Sequence, residues 1–509
     1  MERCFSHYLS LRKEMEAWLN QSRQMDPPGK HGGGEDEANY ALAWFPHYLV
    51  TGSVKVQDHF DYLRDQLAGW VARDCVHGYE PEAEAHHGTE PFLLFLPRYL
   101  GLFPNDEMAA RLLDDAAEHI GNWVSDIPAW YDWDRDRFYG YYIGTKKVGG
   151  DAAYDVELGE HFRFVHIALA AYRTTGDDRY LNWALRYGRR RANMIVDIPD
   201  GPLPVVWDAN GKPVWPQKAA GEQKKAAQGS HHVAGDPLIG VEVLLASGAI
   251  YAFGDLYLLS GDVIFQQAAR RIVEPLLGEL LDPYADPGAA AVAYYRQAFG
   301  DQSLDEAILA MIEKMPPEQD GELAMVFPQV RRRDWPGVGK RNDMTYWGIW
   351  GEDGSVVPTH EPCTAMLTLS YQLTGQTDYA ERALKQAETK LTMARRVLRG
   401  GREHADMGGA VCSIAAGHGR NWGIGPVTGC YGQLLLGTRE IQSAVRPVVE
   451  VKHDGKVGLP ESVMSLVRSE NQALFYNGGS EVATLSWRWE NDAWQEMMLQ
   501  AGEQKEVQK

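Results

Sequence analysis

Three stretches of the chain share one spacing pattern, in which an aromatic residue, a glycine, a second aromatic residue and an alanine follow one another at intervals of four residues. These stretches are residues 172–184, 257–269 and 371–383, and Tyr48-Leu-Val-Thr-Gly52 begins a fourth. Each stretch predicts a helix that ends at its glycine, a tight turn, and a second helix that packs back along the first. Because a recurring helical hairpin cannot bury its apolar face alone, neighbouring hairpins are expected to stack.

The hydrophobic pattern predicts six such helix pairs. The first helix of each pair is polar and amphipathic, over about 3–24, 56–74, 105–124, 177–195, 262–281 and 377–397. The second is more apolar, over about 37–51, 90–102, 157–174, 238–260, 361–374 and 425–441. Six buried helices inside six amphipathic ones predict an all-α domain, an (α/α)6 toroid over residues 1–445. Residues 286–314 predict one or two additional helices.

From about residue 446 the pattern changes. Apolar and polar residues alternate over 447–456, 472–479 and 482–489, and Asp-Gly and Asn-Gly turns separate them. This alternation is typical of antiparallel strands joined by tight turns. The sequence therefore predicts a small β domain over residues 446–509.

Composition narrows the classes of partner. A formal net charge of −20 disfavours binding to nucleic acid and to anionic membrane surfaces. No run of 18 apolar residues is present, so no transmembrane helix is expected, and the first residues lack the apolar core of a signal peptide. Five cysteines in a chain of 509 residues do not indicate a disulfide framework. These features predict a reduced, cytoplasmic protein, and the expected partner is an oligosaccharide, with or without uronate.

Histidines and carboxylates cluster where the inner helices begin. Since inner helices of a toroid run the same way, these starts are expected to meet on one face, which we call the mouth. Its stretches are 86–90, 154–163, 230–236, 343–361 and 404–422. Acidic residues at helix starts also serve as caps, and this alternative applies singly to Glu90, Asp236 and Glu361. The clustering of so many polar residues at one mouth favours a functional pocket.

Carboxylates beside aromatic residues are typical of glycoside hydrolysis, in which one acid protonates the leaving oxygen and a second group acts as base or nucleophile. Glu90, Glu157 and Glu361 are the predicted acid/base residues. His87, His161, His232 and His360 are predicted to contact substrate or transfer protons. The other predicted substrate-binding residues are His86, His231, Asp236, Tyr346, Trp347, Arg420, Asn421 and Trp422.

Two other reactions remain open. β-Elimination from a uronate-containing glycan needs a base, for which Tyr154 or His232 is suitable, and Arg420 or Asn421 would neutralise the carboxylate. Sugar epimerisation is the third reaction, because epimerases of this fold use histidine pairs in the same mouth.

One motif resembles a known family. Glu361-Pro-Cys363-Thr-Ala-Met, followed by Leu-Thr-Gly-Gln-Thr-Asp-Tyr-Ala-Glu-Arg-Ala-Leu, resembles the β-L-arabinofuranosidase family of (α/α)6 glycosidases. That family has a Glu-x-Cys on this helix and a Cys-Cys pair at the next, and together they bind zinc, with one cysteine as nucleophile. In this chain a single cysteine, Cys430, lies at the position of that Cys-Cys pair, and Cys412 would supply the missing thiolate.

The resemblance therefore implies a zinc set of Glu361, Cys363, Cys412 and Cys430. The alternative is that these cysteines are small buried residues of tightly packed helices.

Overall fold

A computed structural model describes residues 1–24, 40–83, 85–149, 155–228, 237–283, 286–326, 346–396 and 424–509 of the chain. About half of the chain is helical, and the C-terminal region is rich in β-strands. The helices, in chain order, are α1 Glu2–Ser22, α2 Trp44–Thr51, α3 Val54–Asp74, α4 Ala85–Glu90, α5 Leu96–Leu102, α6 Glu107–Ala117, α7 Arg163–Thr175, α8 Asp178–Val196, α9 Gly221–Gln228, α10 Ile239–Ala246, α11 Ala249–Ser260, α12 Val263–Val273, α13 Asp286–Phe299, α14 Asp305–Ile312, α15 Thr364–Thr374, α16 Thr377–Arg395 and α17 Tyr431–Leu436.

The predicted helical hairpins are confirmed at all four glycines. Gly52, Gly176, Gly261 and Gly375 adopt left-handed backbone angles, with φ of 60°, 73°, 69° and 72°. In each, the glycine N–H donates to the carbonyl of the aromatic residue four positions earlier, at 2.7–2.8 Å. The residue before each glycine is Thr or Ser, and its hydroxyl donates to a carbonyl one turn earlier. One local geometry therefore joins every inner helix of this set to its outer partner.

Several predicted boundaries were wrong. The third inner helix begins at Arg163 rather than 157, because Val156–Leu158 pairs as a strand with Val206–Asp208. The fourth is bent by 61° between α10 and α11, where Gly248 takes a φ of 69°. The fifth outer helix ends as an α-helix at Val273, and a 3-10 turn over Glu274–Glu279 follows, because Pro275 lacks the N–H that would extend the helix.

Two further boundaries differ. The third outer helix ends at Ala117 rather than 124, and Asn122 then takes a positive φ of 56°. The sixth inner helix is only Tyr431–Leu436, because left-handed Gly437 ends it and a strand follows at Arg439. Strands therefore begin before the predicted boundary at 446. The two additional helices predicted over 286–314 are confirmed as α13 and α14.

Short antiparallel strands occupy the long connections between helix pairs. They are β1 Tyr131–Asp132, β2 Arg137–Phe138, β3 Tyr142–Ile143, β4 Val148–Gly149, β5 Val156–Leu158, β6 Val206–Asp208, β7 Pro213–Val214, β8 Leu323–Val326, β9 Tyr346–Trp350 and β10 Val356–Pro358. β5, β6 and β7 form one sheet, and β8, β9 and β10 form another.

The C-terminal strands form a hairpin and two antiparallel sheets. They are β11 Arg439–Ile441, β12 Ala444–Arg446, β13 Val449–His453, β14 Lys456–Val457, β15 Val463–Ser469, β16 Gln472–Asn477, β17 Ala483–Trp489, β18 Gln495–Leu499 and β19 Gln504–Gln508. The sheet orders are β14-β13-β17-β18 and β15-β16-β19. Val449 and Val451 pair with Trp489 and Trp487, so their apolar side chains share one face. Helices and these strands bury one common apolar core.

Within the described residues, no single helix has both the length and the apolar composition to cross a membrane. The bent pair α10 and α11 meets both criteria only when its two halves are taken together.

Candidate functional site

Three carboxylates at or near the predicted starts of inner helices are each paired with an arginine. Glu90, the last residue of α4, is fully buried, and Arg163 at the start of α7 donates to its Oε1 at 2.6 Å. Arg163 also donates to the carbonyl of Ala246 at 3.3 Å, where α10 ends. One guanidinium therefore connects the second, third and fourth inner helices. A buried pair of this kind is held in place by its geometry, because breaking it would leave an uncompensated charge.

Glu157 occupies the centre of a buried polar cluster. Strand β5 places it with no exposed surface, and Tyr187 donates to its Oε1 at 2.5 Å. Arg191 Nη1 lies 2.9 Å from the same oxygen, and His161 Nδ1 lies 3.2 Å from it. Burial raises the pKa of Glu157, but the charge of Arg191 and the hydrogen bond from His161 lower it further, so the net pKa lies below its usual range. This carboxylate is equipped to remain an anion rather than to donate a proton.

His161 is oriented within the same cluster. Its side chain is fully buried, and its Nε2–H donates to the carbonyl of Gly140 at 3.1 Å, in the turn between β2 and β3. The predicted proton-transfer residues Glu157 and His161 are therefore brought together, but both lie behind the surface of the mouth. Their position fixes the 130–149 segment against the start of α7.

Glu361 is the more accessible of the predicted acid/base residues. It lies just before α15 with 15% of its side chain exposed, and Arg382 of α16 donates to its Oε2 at 2.7 Å. The backbone N–H of Gln319 donates to its Oε1. Next to it, His360 is exposed, and its N–H donates to the side chain of Gln319 at 3.1 Å. Gln319 therefore contacts both residues of this short segment, and only His360 is exposed.

The aromatic residues of β9 differ in exposure. Trp347, predicted to bind substrate, is 3% exposed, and Lys390 Nζ lies 5.3 Å from its ring centroid. Trp350, at the other end of the strand, is 49% exposed. Trp350 pairs with Val356 at the turn end of the hairpin, whereas Trp347 lies at the other end, where its carbonyl accepts the N–H of Thr359 next to His360.

Most of the remaining predicted residues lie outside the description of the structure. The backbone of His86 and His87 forms the first turn of α4, but their side chains are outside it, as is the side chain of Tyr346. Tyr154, His231, His232, Asp236, Cys412, Arg420, Asn421 and Trp422 are outside it entirely. Their predicted roles stay predictions.

Three members of the predicted zinc set, Glu361, Cys363 and Cys430, are among the described residues. Glu361 is engaged with Arg382, and the thiol of Cys430 lies 3.4 Å from the carbonyl of Pro426. Cys363 is fully buried at the start of α15. Among the described residues, the group of side chains with suitable spacing for a metal is His77, His119 and Asp126 instead. Cys412 lies outside the described ranges, so the zinc set stays a prediction.

A cavity that the sequence did not predict lies between several helices and the C-terminal strands. It has a volume of about 420 Å³, and its lining includes Arg98, Thr368, Gln372, Gln433 and Glu440. Its polar side chains come from α5, α13, α15 and α17, from the hairpin β11–β12, and from the end of β15 with the turn that follows it. The cavity has no local sequence signal, because each helix contributes only one or two polar residues on an apolar face.

The hairpin β11–β12 inserts its turn among the inner helices. The N–H of Gln442 donates to Asp255 at 2.9 Å, and the Ser443 hydroxyl lies 3.3 Å from Nδ1 of His166. Arg98 Nε donates to Glu440 at 3.0 Å. Burial raises the pKa of Asp255 to about 7 and lowers the pKa of His166 to about 3. The turn is therefore held by buried side chains that favour their neutral forms.

Comparison with known proteins finds distant likenesses only. The chain matches no family model and no curated protein. An unsaturated glucuronyl hydrolase (UGL) variant with dGlcA-Glc-Rha-Glc is 14% identical at a TM-score of 0.43, over 62% of this chain and 86% of that one. Cellobiose 2-epimerase from Spirochaeta thermophila is 12% identical at a TM-score of 0.40, over 75% and 98%.

A sugar epimerase from a ruminal bacterium is also 12% identical, at a TM-score of 0.36, over 71% of this chain and 89% of that one. All three TM-scores lie below 0.5, so the proposal that follows rests on this chain's own residues.

Proposed function

We propose that the chain is a carbohydrate-active enzyme that cleaves glycosidic bonds at the mouth. The observation that carries this proposal is the set of carboxylate–arginine pairs at or near the predicted starts of three inner helices. Glu90–Arg163, Glu157–Arg191 and Glu361–Arg382 each fix one helix start. Fixed charges of this kind hold a polar pocket in shape before substrate arrives, which is what electrostatic catalysis requires.

The same proposal takes the helix pairs to close into an (α/α)6 toroid. The first outer helix, α1, packs along the last one, α16. His7 lies 2.7 Å from Glu388, and Arg395 pairs with Glu14 near the other end of α1. Contact between the first and last outer helices is what ring closure needs. A closed ring would gather the inner-helix starts around one concave surface.

Hydrolysis is the reaction we propose first. One carboxylate at the mouth would act as base or nucleophile, and another would donate the proton. Glu361 is positioned by hydrogen bonds from Arg382 and from the N–H of Gln319, and we propose it as the base that activates water or as the nucleophile. The proton donor needs a carboxylate without a cation beside it. Glu160, half-buried in the 3-10 turn before α7, is our candidate for that role.

Elimination is the second candidate reaction. It is favoured by the burial of Glu90 and Glu157, which leaves two of the three predicted acid/base carboxylates without access to substrate. Histidine and tyrosine would then transfer the proton, with His232 or Tyr154 as base and Arg420 or Asn421 neutralising the uronate. Both reactions use the same mouth and differ in the proton-transfer groups.

Substitution of Glu361 tests the proposed role of the mouth. We expect Glu361→Gln to lower kcat on a cleaved oligosaccharide by about 10²- to 10⁴-fold, the usual contribution of a general acid or base, with a smaller change in KM. Glu160→Gln should act in the same direction. Initial rates on one substrate, with circular dichroism to confirm folding, measure both.

A matched control is Glu381→Gln on α16, whose carboxylate pairs with the exposed Arg3. This variant should keep wild-type kcat. Wild-type kcat in folded Glu361→Gln and Glu160→Gln proteins would remove both residues from the reaction and refute hydrolysis through them.

A further inference from the structure

Two connections, one after α3 and one after α6, meet at a pair of histidines. His77 lies in the turn after α3, His119 lies just after α6, and Asp126 begins the long connection that follows. The ring centroids of the two histidines are 4.1 Å apart. This cluster lies outside the mouth and has no part in the proposed reaction.

The backbone presents His77 in an unusual conformation. Its φ is +53°, and Gly78 after it has a φ of +83°. Val76 and Tyr79 close the turn by exchanging two backbone hydrogen bonds, at 2.9 and 3.0 Å. A non-glycine residue in the left-handed region costs free energy, and such residues concentrate where the side chain has a function.

Asp115 orients both imidazole rings. His77 Nδ1 lies 2.8 Å from its Oδ1, and His119 Nδ1 lies 3.1 Å from its backbone carbonyl. When Nδ1–H donates to these oxygens, the lone pair of each ring is on Nε2. Histidine ligands of metals are held in this way, with the outer N–H on a carboxylate or a carbonyl.

Both Nε2 atoms then face one carboxylate. His77 Nε2 lies 2.9 Å from Asp126 Oδ2, and His119 Nε2 lies 3.1 Å from Asp126 Oδ1. A tetrahedral site with bonds of about 2.0–2.1 Å separates its ligand atoms by about 3.3 Å. The observed separations are close to that value, and all three ligand atoms lie within 4.8 Å of one another.

We propose that His77, His119 and Asp126 bind one divalent transition-metal ion, with Zn²⁺ as the best match to two imidazoles and a carboxylate. The two rings stack with their planes inclined by 25°, and both Nε2 atoms face Asp126, where the ion would lie. His77 is 26% exposed, which leaves room for a water molecule as fourth ligand.

Protons compete with the ion for these nitrogens. Burial lowers the pKa of His77, but its hydrogen bonds and proximity to Asp115 and Asp126 raise it above the usual value overall. Burial and the neighbouring His77 lower the pKa of His119. Histidine binds a metal ion through a deprotonated ring nitrogen, so metal binding competes with protonation of these rings. Affinity should fall as pH decreases.

The ion would have a structural role. It would tie the turn at His77 and the end of α6 to the start of the connection that carries Trp130 and Gly140. Trp130 is fully buried and donates to the Gly144 carbonyl at 3.1 Å, and Gly140 accepts the hydrogen bond of His161. Metal binding would therefore stabilise this connection whatever reaction the mouth performs.

Metal titration of the full chain tests the site. Protein is stripped with a chelator and titrated with Co²⁺, whose absorbance reports tetrahedral coordination, and bound Zn²⁺ is counted by elemental analysis. Asp126→Asn and His77→Gln should each lose one ion per chain relative to wild type. Asp115→Asn should weaken binding by about 10- to 100-fold, as expected for loss of an outer partner.

His453→Gln is the matched control, because His453 is exposed beside Asp454 in the C-terminal region. It should bind as wild type does. Since His77 and Asp126 lie on exposed turns, their variants should keep wild-type circular dichroism. A wild-type chain without a tetrahedral Co²⁺ spectrum, or folded Asp126→Asn and His77→Gln variants that retain the full ion count, would overturn the proposal.

Discussion

Three carboxylates near the predicted helix starts have arginine partners. Glu90, Glu157 and Glu361 each meet an arginine, and the arginines come from a different element in every case. Asp255 differs, because its buried carboxyl accepts a backbone N–H from Gln442 and its pKa rises to about 7. Burial without a close cation makes the neutral form the stable one.

Asp255 makes a pH-dependent contribution to stability whose sign follows from its raised pKa. Between its unfolded value of 3.8 and about 7, the folded chain binds more protons than the unfolded chain. Stability from this residue is therefore complete below pH 4 and is lost as pH rises toward 7. Asp255→Asn keeps the acceptor and removes the titration, so its thermal midpoint should gain on wild type as pH increases from 4 to 8. A midpoint difference that does not change with pH would contradict the assignment.

Among the elements, the helical hairpins follow most directly from local sequence. The spacing of aromatic residue, glycine, aromatic residue and alanine predicted three helix-to-helix turns. A fourth stretch, at Gly52, matches only the first part of this pattern, but its glycine adopts the same turn. Local spacing was insufficient for the sixth inner helix. There Gly437 ends the helix where Val448 and Val467 pack within 3.4 Å of the position its Cβ would take, and that crowding comes from strands far along the chain.

Two of the four connector glycines provide a matched test of this geometry. A Cβ at Gly176 would meet nothing within 4 Å, whereas a Cβ at Gly52 would lie 1.8 Å from the carbonyl oxygen of Val457. Gly176→Ala should therefore cost only the left-handed strain of about 1–2 kcal/mol.

Gly52→Ala adds a collision with β14, so its thermal midpoint should fall by clearly more than that of Gly176→Ala. Equal midpoints for the two variants would show that Gly52 does not pack against the C-terminal strands as described.

For the whole molecule, sequence predicted more of the helix order than of the site. Helix starts could be located, and with them Glu90 and Glu361, because capping residues and hydrophobic periodicity are local. The partners Arg163 and Arg382 could not be predicted, because pairing between helices depends on how the elements pack. The cluster of His77, His119 and Asp126 was not predicted. These residues follow outer helices, whereas the predicted site consists of residues that precede inner helices.

The most direct test of the central claim is the mass of the products formed from a mixed panel of neutral and uronate-containing oligosaccharides in ¹⁸O-labelled water. Hydrolysis, which we predict, gives fragments that together exceed the substrate by one water and carry one ¹⁸O. Elimination would give fragments that sum to the substrate mass, one of them an unsaturated uronate, and would move the chemistry to histidine and tyrosine. An intact panel, with no cleaved bond in any oligosaccharide, would contradict the proposal that this mouth cleaves glycosidic bonds.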